Sequence, residues 1–155
     1  MIILGIDPGT ATTGYGLVEK IGRNLSCLDY GSIETSPSSS DAERLECLYD
    51  ELNLLMRKTK PDVLAVEKLY FFKNSKTAMT VAQAKGVILL AGAKKRIPIF
   101  EFTPLQMKTT VAGYGRAEKS QIQKMVKVIL SLKKIPRPDD AADALGIAIC
   151  CARQV

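Results

Sequence analysis

Three strand-like segments open the chain in succession, before any helix is indicated. Residues 2–7, 14–20 and 25–34 are rich in apolar and β-branched side chains, and the turns between them contain glycine or asparagine. Helix-like and strand-like segments then alternate to the end of the sequence. A meander of three strands followed by this alternation predicts an α/β fold, in which helices cover both faces of a mixed sheet.

The later segments are marked by apolar spacing and by helix-capping residues. Ser40 and Glu43 form a capping-box pattern, and the apolar residues that follow recur at helical spacing, which predicts a helix over about 41–59. Residues 62–67, DVLAVE, predict a buried strand. The other predicted segments are an alanine-rich helix at 76–95, a strand at 98–102, a helix with Ile122, Met125, Val126 and Ile129 on its core face, and a helix at 140–153.

Length and composition are typical of one soluble globular domain, here residues 1–155. No apolar run is long enough to span a bilayer, and the N-terminus lacks the pattern of a signal peptide. The four cysteines show no CxxC spacing, so we expect reduced thiols and a cytoplasmic location. Because the chain contains no histidine, imidazole-based catalysis and most kinds of zinc site are excluded.

Charge is divided unevenly along the chain. Residues 1–67 contain 6 Lys and Arg against 11 Asp and Glu, whereas residues 68–155 contain 16 against 5. Such a one-sided positive field favours a polyanionic partner. A solvated lysine-rich surface explains the charge alone equally well, so the motifs have to distinguish the two interpretations.

Two of the predicted strands end in a carboxylate. Asp7 follows the apolar run of the first strand, and Glu67 ends the segment DVLAVE. In open α/β sheets, ligand sites form at the carboxyl ends of neighbouring strands. Each residue also has a simpler explanation, since Asp before Pro-Gly favours a turn and Glu67 could lie where its strand reaches the surface.

The last predicted helix adds further acids. In PDDAADALGIAI, Asp140 and Asp143 are three residues apart, so they project from one face of the first helical turns. The helix dipole explains Asp139 and Asp140, but it explains Asp143 less well because that residue interrupts an apolar helix. Converging carboxylates repel one another, and divalent cations such as Mg²⁺ or Mn²⁺ are the simplest partners that would hold them ionised together.

Several blocks of the sequence resemble those of one family. ILGIDPGTATTGYG, DVLAVEKLYFFKN, AQAKGV, GRAEKSQIQKMV and DDAADALGIAI are similar, in this order, to the successive blocks of the RuvC family of bacterial Holliday-junction resolvases. The resemblance implies a ribonuclease-H-like fold with a five-stranded mixed sheet. It also implies a metal-dependent endodeoxyribonuclease that resolves four-way junctions by paired symmetric nicks during recombination and DNA repair.

The same resemblance implies which residues carry the chemistry. The catalytic and metal-binding residues would be Asp7, Glu67, Asp140 and Asp143, and the DAADAL register selects Asp140 over Asp139. The implied cofactor is Mg²⁺, with Mn²⁺ as a substitute and two ions in each active site.

A segment that mixes aromatic rings with lysines predicts contacts with DNA. KLYFFKNSK, residues 68–76, has the composition that suits unpaired bases and phosphates, although packing of the rings in the core is the alternative. Residues 112–115, AGYG, are expected to form a flexible loop. From the composition and from family positions near the junction, the predicted DNA-binding residues are Tyr70, Phe71, Lys73, Lys76, Lys108, Arg116 and Lys119.

The implied substrate also predicts the assembly. A four-way junction has approximate two-fold symmetry, so paired nicks predict a homodimer with two matched sites. The predicted helix at 76–95 is apolar around more of its circumference than one core face requires, and we expect it to form the interface. The resemblance further implies the RuvAB branch-migration complex as a partner.

Three alternatives compete with the nuclease interpretation. GIDPGTATTGYG resembles the phosphate-binding hairpin of actin-like and Hsp70-like ATPases, but those proteins need two such domains and much longer chains. A non-catalytic nucleic-acid-binding module of the same fold would gain nothing from four acids that face phosphate. A YqgF-like nuclease shares the first block, but it fits the aromatic-lysine segment and the DAADAL block less well.

Overall fold

A five-stranded sheet forms the centre of the computed structural model, which describes residues 1–69 and 75–155. Its strands are β1 (Ile2–Asp7), β2 (Thr12–Ile21), β3 (Asn24–Glu34), β4 (Val63–Glu67) and β5 (Ile99–Phe102), in the spatial order β3-β2-β1-β4-β5. Strand β2 is antiparallel to both of its neighbours, whereas β1, β4 and β5 run parallel to one another. The predicted mixed sheet is confirmed.

Helices pack on both faces of this sheet, as predicted. In the described residues they are α1 (Asp41–Thr59), α2 (Ser75–Lys94), α3 (Pro104–Ala112), α4 (Lys119–Ile129) and α5 (Asp139–Gln154). The bounds of α1 agree with the prediction because the capping box is present: the Glu43 amide donates to Ser40 Oγ at 3.3 Å, and the Ser40 amide donates to Glu43 Oε2 at 2.7 Å. None of the helices in the described residues combines the length and apolar character needed to cross a membrane.

Helix α3 corrects the sequence analysis, which predicted only two helices after the fifth strand. Three helices follow β5 in residues 103–155, all of which the structure describes. The Gln106 amide donates to Thr103 Oγ1 at 3.0 Å and the Thr103 amide to Gln106 Oε1 at 2.9 Å, so the segment TPLQ is a capping box with proline at the first helical position. The helix ends at Ala112, and the next residue, Gly113, has the left-handed backbone conformation. The predicted loop at 112–115 therefore starts one residue too early.

Two hydrophobic cores lie on opposite faces of the sheet because successive strand residues point to opposite sides. Ile3 packs in the core that contains α3, α4 and α5, whereas Leu4 and Ile6 pack in the core with α1 and α2. The same alternation places Gly5 and Asp7 on the face of Ile3, so the carboxylate of β1 is directed toward α5.

Helix α5 lies directly on the backbone of β1 and β2. Gly5 is paired with Gly16, and a Cβ atom built on Gly5 would lie 2.1 Å from the carbonyl oxygen of Ala144. Gly14 is paired with Asp7, and a Cβ atom there would lie 2.1 Å from the carbonyl oxygen of Asp140. The absence of side chains at these glycines therefore lets the helix bring its first turn to the end of β1.

This close approach predicts a large effect of adding one methyl group to the sheet. We expect Gly5→Ala to lower the free energy of unfolding by roughly 1–3 kcal/mol or more, because the backbone of α5 has to move away. Urea denaturation at a fixed protein concentration measures the change. Gly86→Ala is the control, since nothing lies within 4 Å of a Cβ atom at that position in α2. Equal stability of the two variants would contradict the proposed packing constraint.

Candidate active site

Asp7 and Glu67 end two neighbouring strands, as the sequence predicted. Strands β1 and β4 are parallel with Ile6 opposite Val66, so the two acids follow side by side at the carboxyl ends of the strands. Burial raises the pKa of Asp7 well above its usual value, and the charges of Glu67, Asp143 and Asp140 and a hydrogen bond with Glu67 raise it further. Burial also raises the pKa of Glu67, against the hydrogen bond with Asp7.

The first turns of α5 bring Asp140 and Asp143 to the same place. Burial is the largest cause that raises the pKa of Asp143, and the Lys119 ammonium opposes it. Because the charges of Glu67, Asp140 and Asp143 all act on Asp7, the four predicted acids form one electrostatic cluster. The sequence analysis expected these acids to converge, but it did not identify the contact of α5 with the glycines of the sheet, on which their proximity depends.

The donor set of this cluster fits hard divalent cations. Among residues 1–69 and 75–155, no three acidic or cysteine side chains stand ready to enclose a metal ion. Asp143 is instead paired with Lys119. Burial is the main cause that raises the pKa values of Asp7, Glu67 and Asp143, and the charges of neighbouring carboxylates raise them further. A bound divalent cation would favour the ionised form of all three.

Two predicted DNA-binding lysines lie beside the acids. Lys119 Nζ is 3.5 Å from Asp143 Oδ2 and 3.5 Å from Asp139 Oδ2, and Lys108 lowers the pKa of Glu67, which burial raises. Lys76 in the first turns of α2 and Arg116 between α3 and α4 are exposed. Tyr70, Phe71 and Lys73 lie outside the described residues.

Comparison with known proteins assigns the family. The family model described as "Crossover junction endodeoxyribonuclease RuvC" matches residues 3–151. The chain belongs to the RuvC family. The resemblance predicted from the sequence blocks is confirmed.

Individual RuvC proteins are similar over nearly the whole chain. Curated relatives named "Crossover junction endodeoxyribonuclease RuvC" from Halothermothrix orenii and Ruminiclostridium cellulolyticum are 55% and 57% identical over 150 residues. The matches cover 97% of this chain and 91% and 90% of those proteins. The solved structure of Thermus thermophilus RuvC in complex with a Holliday junction substrate is 34% identical, with a TM-score of 0.91, and the match covers 97% of this chain and 92% of that one.

Asp139 has a different environment from the four acids of the cluster. Its Oδ1 accepts hydrogen bonds from Gln123 Nε2 at 2.9 Å and from Arg137 Nη1 at 2.5 Å, while its Oδ2 faces Lys119. Partial desolvation opposes ionisation, but Lys119, Gln123 and Arg137 together lower the pKa of Asp139. Lys119 and Gln123 are one helical turn apart on α4, so Asp139 joins that helix to the start of α5.

Lys85 is a cation near the site that sequence analysis did not identify as functional. It forms an ion pair with Glu101 of β5, its side chain is only 14% exposed, and its charge lowers the pKa of Glu67 against the effect of burial. The block AQAKGV contains Lys85, but nothing in the sequence indicated that this lysine faces the sheet. Its position depends on how α2 packs against β5.

Asp7 and Asp139 should respond in opposite directions to neutralisation. The Asp7 carboxyl contributes its full stability only below the pKa of the unfolded chain, and this contribution is lost as pH rises through the higher pKa of the folded state. At pH 7 in EDTA we therefore expect Asp7→Asn to raise Tm by about 5 °C, which corresponds to roughly 1–2 kcal/mol for a chain of this size.

Asp139→Asn is the matched control at the same site. The contribution of Asp139 is present above its unfolded pKa and is lost as pH falls through its lowered folded pKa, so this variant should lower Tm at pH 7. Thermal denaturation followed by circular dichroism at a series of pH values between pH 3 and pH 8 measures both changes in Tm. A fall in Tm for Asp7→Asn at pH 7 would contradict the electrostatic description.

Proposed function

We propose that this chain is a metal-dependent endodeoxyribonuclease that resolves four-way (Holliday) junctions during recombination and DNA repair. The observation that carries the proposal is the convergence of Asp7, Glu67, Asp140 and Asp143 beside Lys119, in a member of the RuvC family. A solved structure shows a relative, Thermus thermophilus RuvC, in complex with a Holliday junction substrate, and this chain matches nearly its full length.

The acids would hold the cofactor. Asp7, Glu67, Asp140 and Asp143 offer only oxygen donors, which favours Mg²⁺, with Mn²⁺ as a substitute, and the number of carboxylates suits two ions. When bound, such ions activate water for attack on a phosphodiester and stabilise the leaving oxygen. The DAADAL register and the occupied oxygens of Asp139 both favour Asp140 over Asp139 as the ligand.

The lysines at the site would orient the DNA strand. Lys119 is paired with both Asp143 and Asp139 in the free protein. If Asp143 binds a metal ion, the Lys119 ammonium would become available to a phosphate, and the ion pair with Asp139 would keep it near the site. Lys108 acts from α3 on the Glu67 side of the cluster. The other proposed contacts with the junction are Lys73, Lys76 and Arg116 for the phosphates, and Tyr70 and Phe71 for unpaired bases.

The alternatives explain less of the site. A binding module without catalysis gains nothing from a buried carboxyl such as Asp7, whose ionisation is unfavourable in the free protein. Membership of the RuvC family favours a junction resolvase over a YqgF-like nuclease. An ATPase of the actin-like kind would require a second domain of the same fold. One family model matches residues 3–151, which supports a single nuclease domain over residues 1–155.

The surface of α2 supports the proposed homodimer. Met79 and Leu90 are 73% and 55% exposed, and they lie on one helix face with Gly86, which has open space around it. An exposed apolar stripe of this kind favours a partner helix. A two-fold dimer would present two matched sites to a junction, and we propose that it acts together with the RuvAB branch-migration complex.

Neutralisation of Asp7 should separate binding from cleavage. Asp7→Asn keeps the size of the side chain but removes one metal-ligating charge, so nicking of a synthetic four-way junction in Mg²⁺ should fall by at least about 10³-fold. Junction affinity in Ca²⁺ should persist or increase, because a negative charge that faces phosphate is removed. End-labelled junctions resolved on denaturing gels measure nicking, and gel shifts measure affinity.

Matched variants and conditions complete this test. Glu67→Gln, Asp140→Asn and Asp143→Asn should behave like Asp7→Asn, whereas Asp139→Asn should lose less activity. EDTA should abolish wild-type nicking, Mn²⁺ should restore it, and linear duplex of the same sequence should be cut poorly. Near wild-type nicking by Asp7→Asn would show that the catalytic metals bind elsewhere.

The exposed stripe of α2 gives a second test of the proposed assembly. Light scattering should give wild-type protein a mass of twice 16.9 kDa, and Leu90→Glu should give the monomer mass because a charge cannot be buried in an apolar contact. On junctions, the monomer should produce single nicks in place of paired ones. Lys124→Glu is a suitable control, because it changes a charge on the exposed surface of α4. A wild-type monomer both free and on junction DNA would refute the dimer.

A further inference from the structure

A cavity of about 420 Å³ adjoins the acidic cluster at Asp140. The turn between β1 and β2, residues 9–12, forms one side of it, and Arg44 of α1 forms another. The first turns of α2 close it with Thr77, Thr80 and Val81. These elements are separate from α4, which carries Lys119. Apart from Asp140, no residue that lines the cavity has been assigned a role above.

The hydroxyl of Thr10 is a buried polar atom without a hydrogen-bond partner among the described residues. Leaving such a group unsatisfied costs about 1–3 kcal/mol, so buried polar atoms of this kind call for a physical explanation. A hydrogen-bond acceptor placed in the cavity would satisfy the Thr10 hydroxyl, and this gain would favour its binding.

The turn that carries Thr10 is held in place by a short chain of hydrogen bonds. Thr35 Oγ1 donates to the carbonyl oxygen of Thr10 at 2.6 Å, and Arg44 Nε donates to Thr35 Oγ1 at 2.9 Å. The backbone of Thr10 is therefore fixed, while its side-chain hydroxyl remains unsatisfied. Arg44 contributes both a link in this chain and a positive charge to the cavity wall.

The cavity wall is chemically suited to a phosphate group. Hydroxyl donors from several threonines and one guanidinium line it, and its single acid is Asp140, which the proposed mechanism commits to a metal ion. Hydrogen-bond donors together with a cationic side chain recognise phosphate oxygens, and the planar guanidinium of arginine matches the geometry of a phosphate group best. The volume is sufficient for a phosphate with its attached sugar.

We propose that this cavity binds the phosphodiester next to the one that is cut, on the same DNA strand. A strand whose scissile phosphate lies on the acidic cluster passes Asp140 and enters the cavity. There the Thr10 hydroxyl donates to a phosphate oxygen, and Arg44 faces the phosphate charge. The inference rests on the proposed function, since it assigns a further part of the same substrate.

The Thr10→Val variant tests the role of the unsatisfied hydroxyl. Valine keeps the shape of threonine, so the free protein should be as stable as wild type or more stable, because an unsatisfied polar atom is removed. Single-turnover nicking of the four-way junction at subsaturating enzyme should nevertheless fall by roughly five- to tenfold, about 1 kcal/mol of lost interaction. Thr10→Ser keeps the hydroxyl and should nick like wild type.

The outcomes separate this inference from the proposed function. If wild-type protein does not nick junctions in Mg²⁺, the proposed function fails. If wild type nicks and Thr10→Val nicks equally well, the subsite is refuted while the function stands. A clear loss of thermal stability in Thr10→Val would also overturn the inference, because the hydroxyl would then be satisfied within the free protein.

Arg44 provides an independent test that does not measure activity. Arg44→Met should reduce the slope of log affinity against log salt concentration for the junction in Ca²⁺ by about one, since one phosphate contact is lost. Arg23→Met is the matched control, because it removes the same charge from the exposed turn between β2 and β3. An unchanged slope for Arg44→Met, or an equal reduction for Arg23→Met, would refute a phosphate contact at Arg44.

Discussion

The contact between the backbone of α5 and the backbone of the sheet is the constraint on which the candidate active site depends. Helices normally pack on sheets through side chains, but Gly5 and Gly14 provide none. Because Gly14 is paired with Asp7 and lies against the carbonyl oxygen of Asp140, the same glycine fixes two acids from opposite ends of the chain. Any side chain at that position would push the two carboxylates apart, so the glycine is required by the geometry of the site.

The electrostatic arrangement that follows is unfavourable for the free fold. Asp7 is partly buried and lies near three other acids, an arrangement that stability alone would not select. The surroundings limit this cost: Lys119 lies against Asp143, and the half-buried Lys85 of α2 acts on Glu67 from the other face of the sheet. Functional sites commonly retain such a local conflict because cations or substrates relieve it when they bind.

Local sequence signals predicted the framework of the fold and the acids. An apolar strand that ends abruptly in a carboxylate identified Asp7 and Glu67, and the capping box with helical periodicity identified α1 with its observed bounds. Helix α3 was missed because only Met107 and Val111 are buried in it, which leaves no clear apolar periodicity. The signal was present in TPLQ, but a capping box without an amphipathic face is weak evidence on its own.

Local sequence signals did not predict the surroundings of individual side chains. Asp139 and Asp140 are adjacent and chemically identical, yet the first is bound by Gln123 and Arg137 and the second faces the cluster of acids. The difference arises from where α4 packs against α5, which is a property of the tertiary structure. The same is true of the unsatisfied hydroxyl of Thr10, which nothing in the segment GTATTG distinguishes from its neighbours.

Helix α2 connects the proposed assembly with the chemistry. Its first turns line the cavity beside Asp140, its Lys85 acts on Glu67, and its exposed face carries Leu90. A rigid helix transmits a displacement along its length, since its backbone hydrogen bonds resist local deformation. Packing of a second copy against this face would therefore also restrict the position of Lys85 and of the cavity wall. In the proposed dimer, association would therefore do more than provide a second site, because it would also stabilise the geometry of each one.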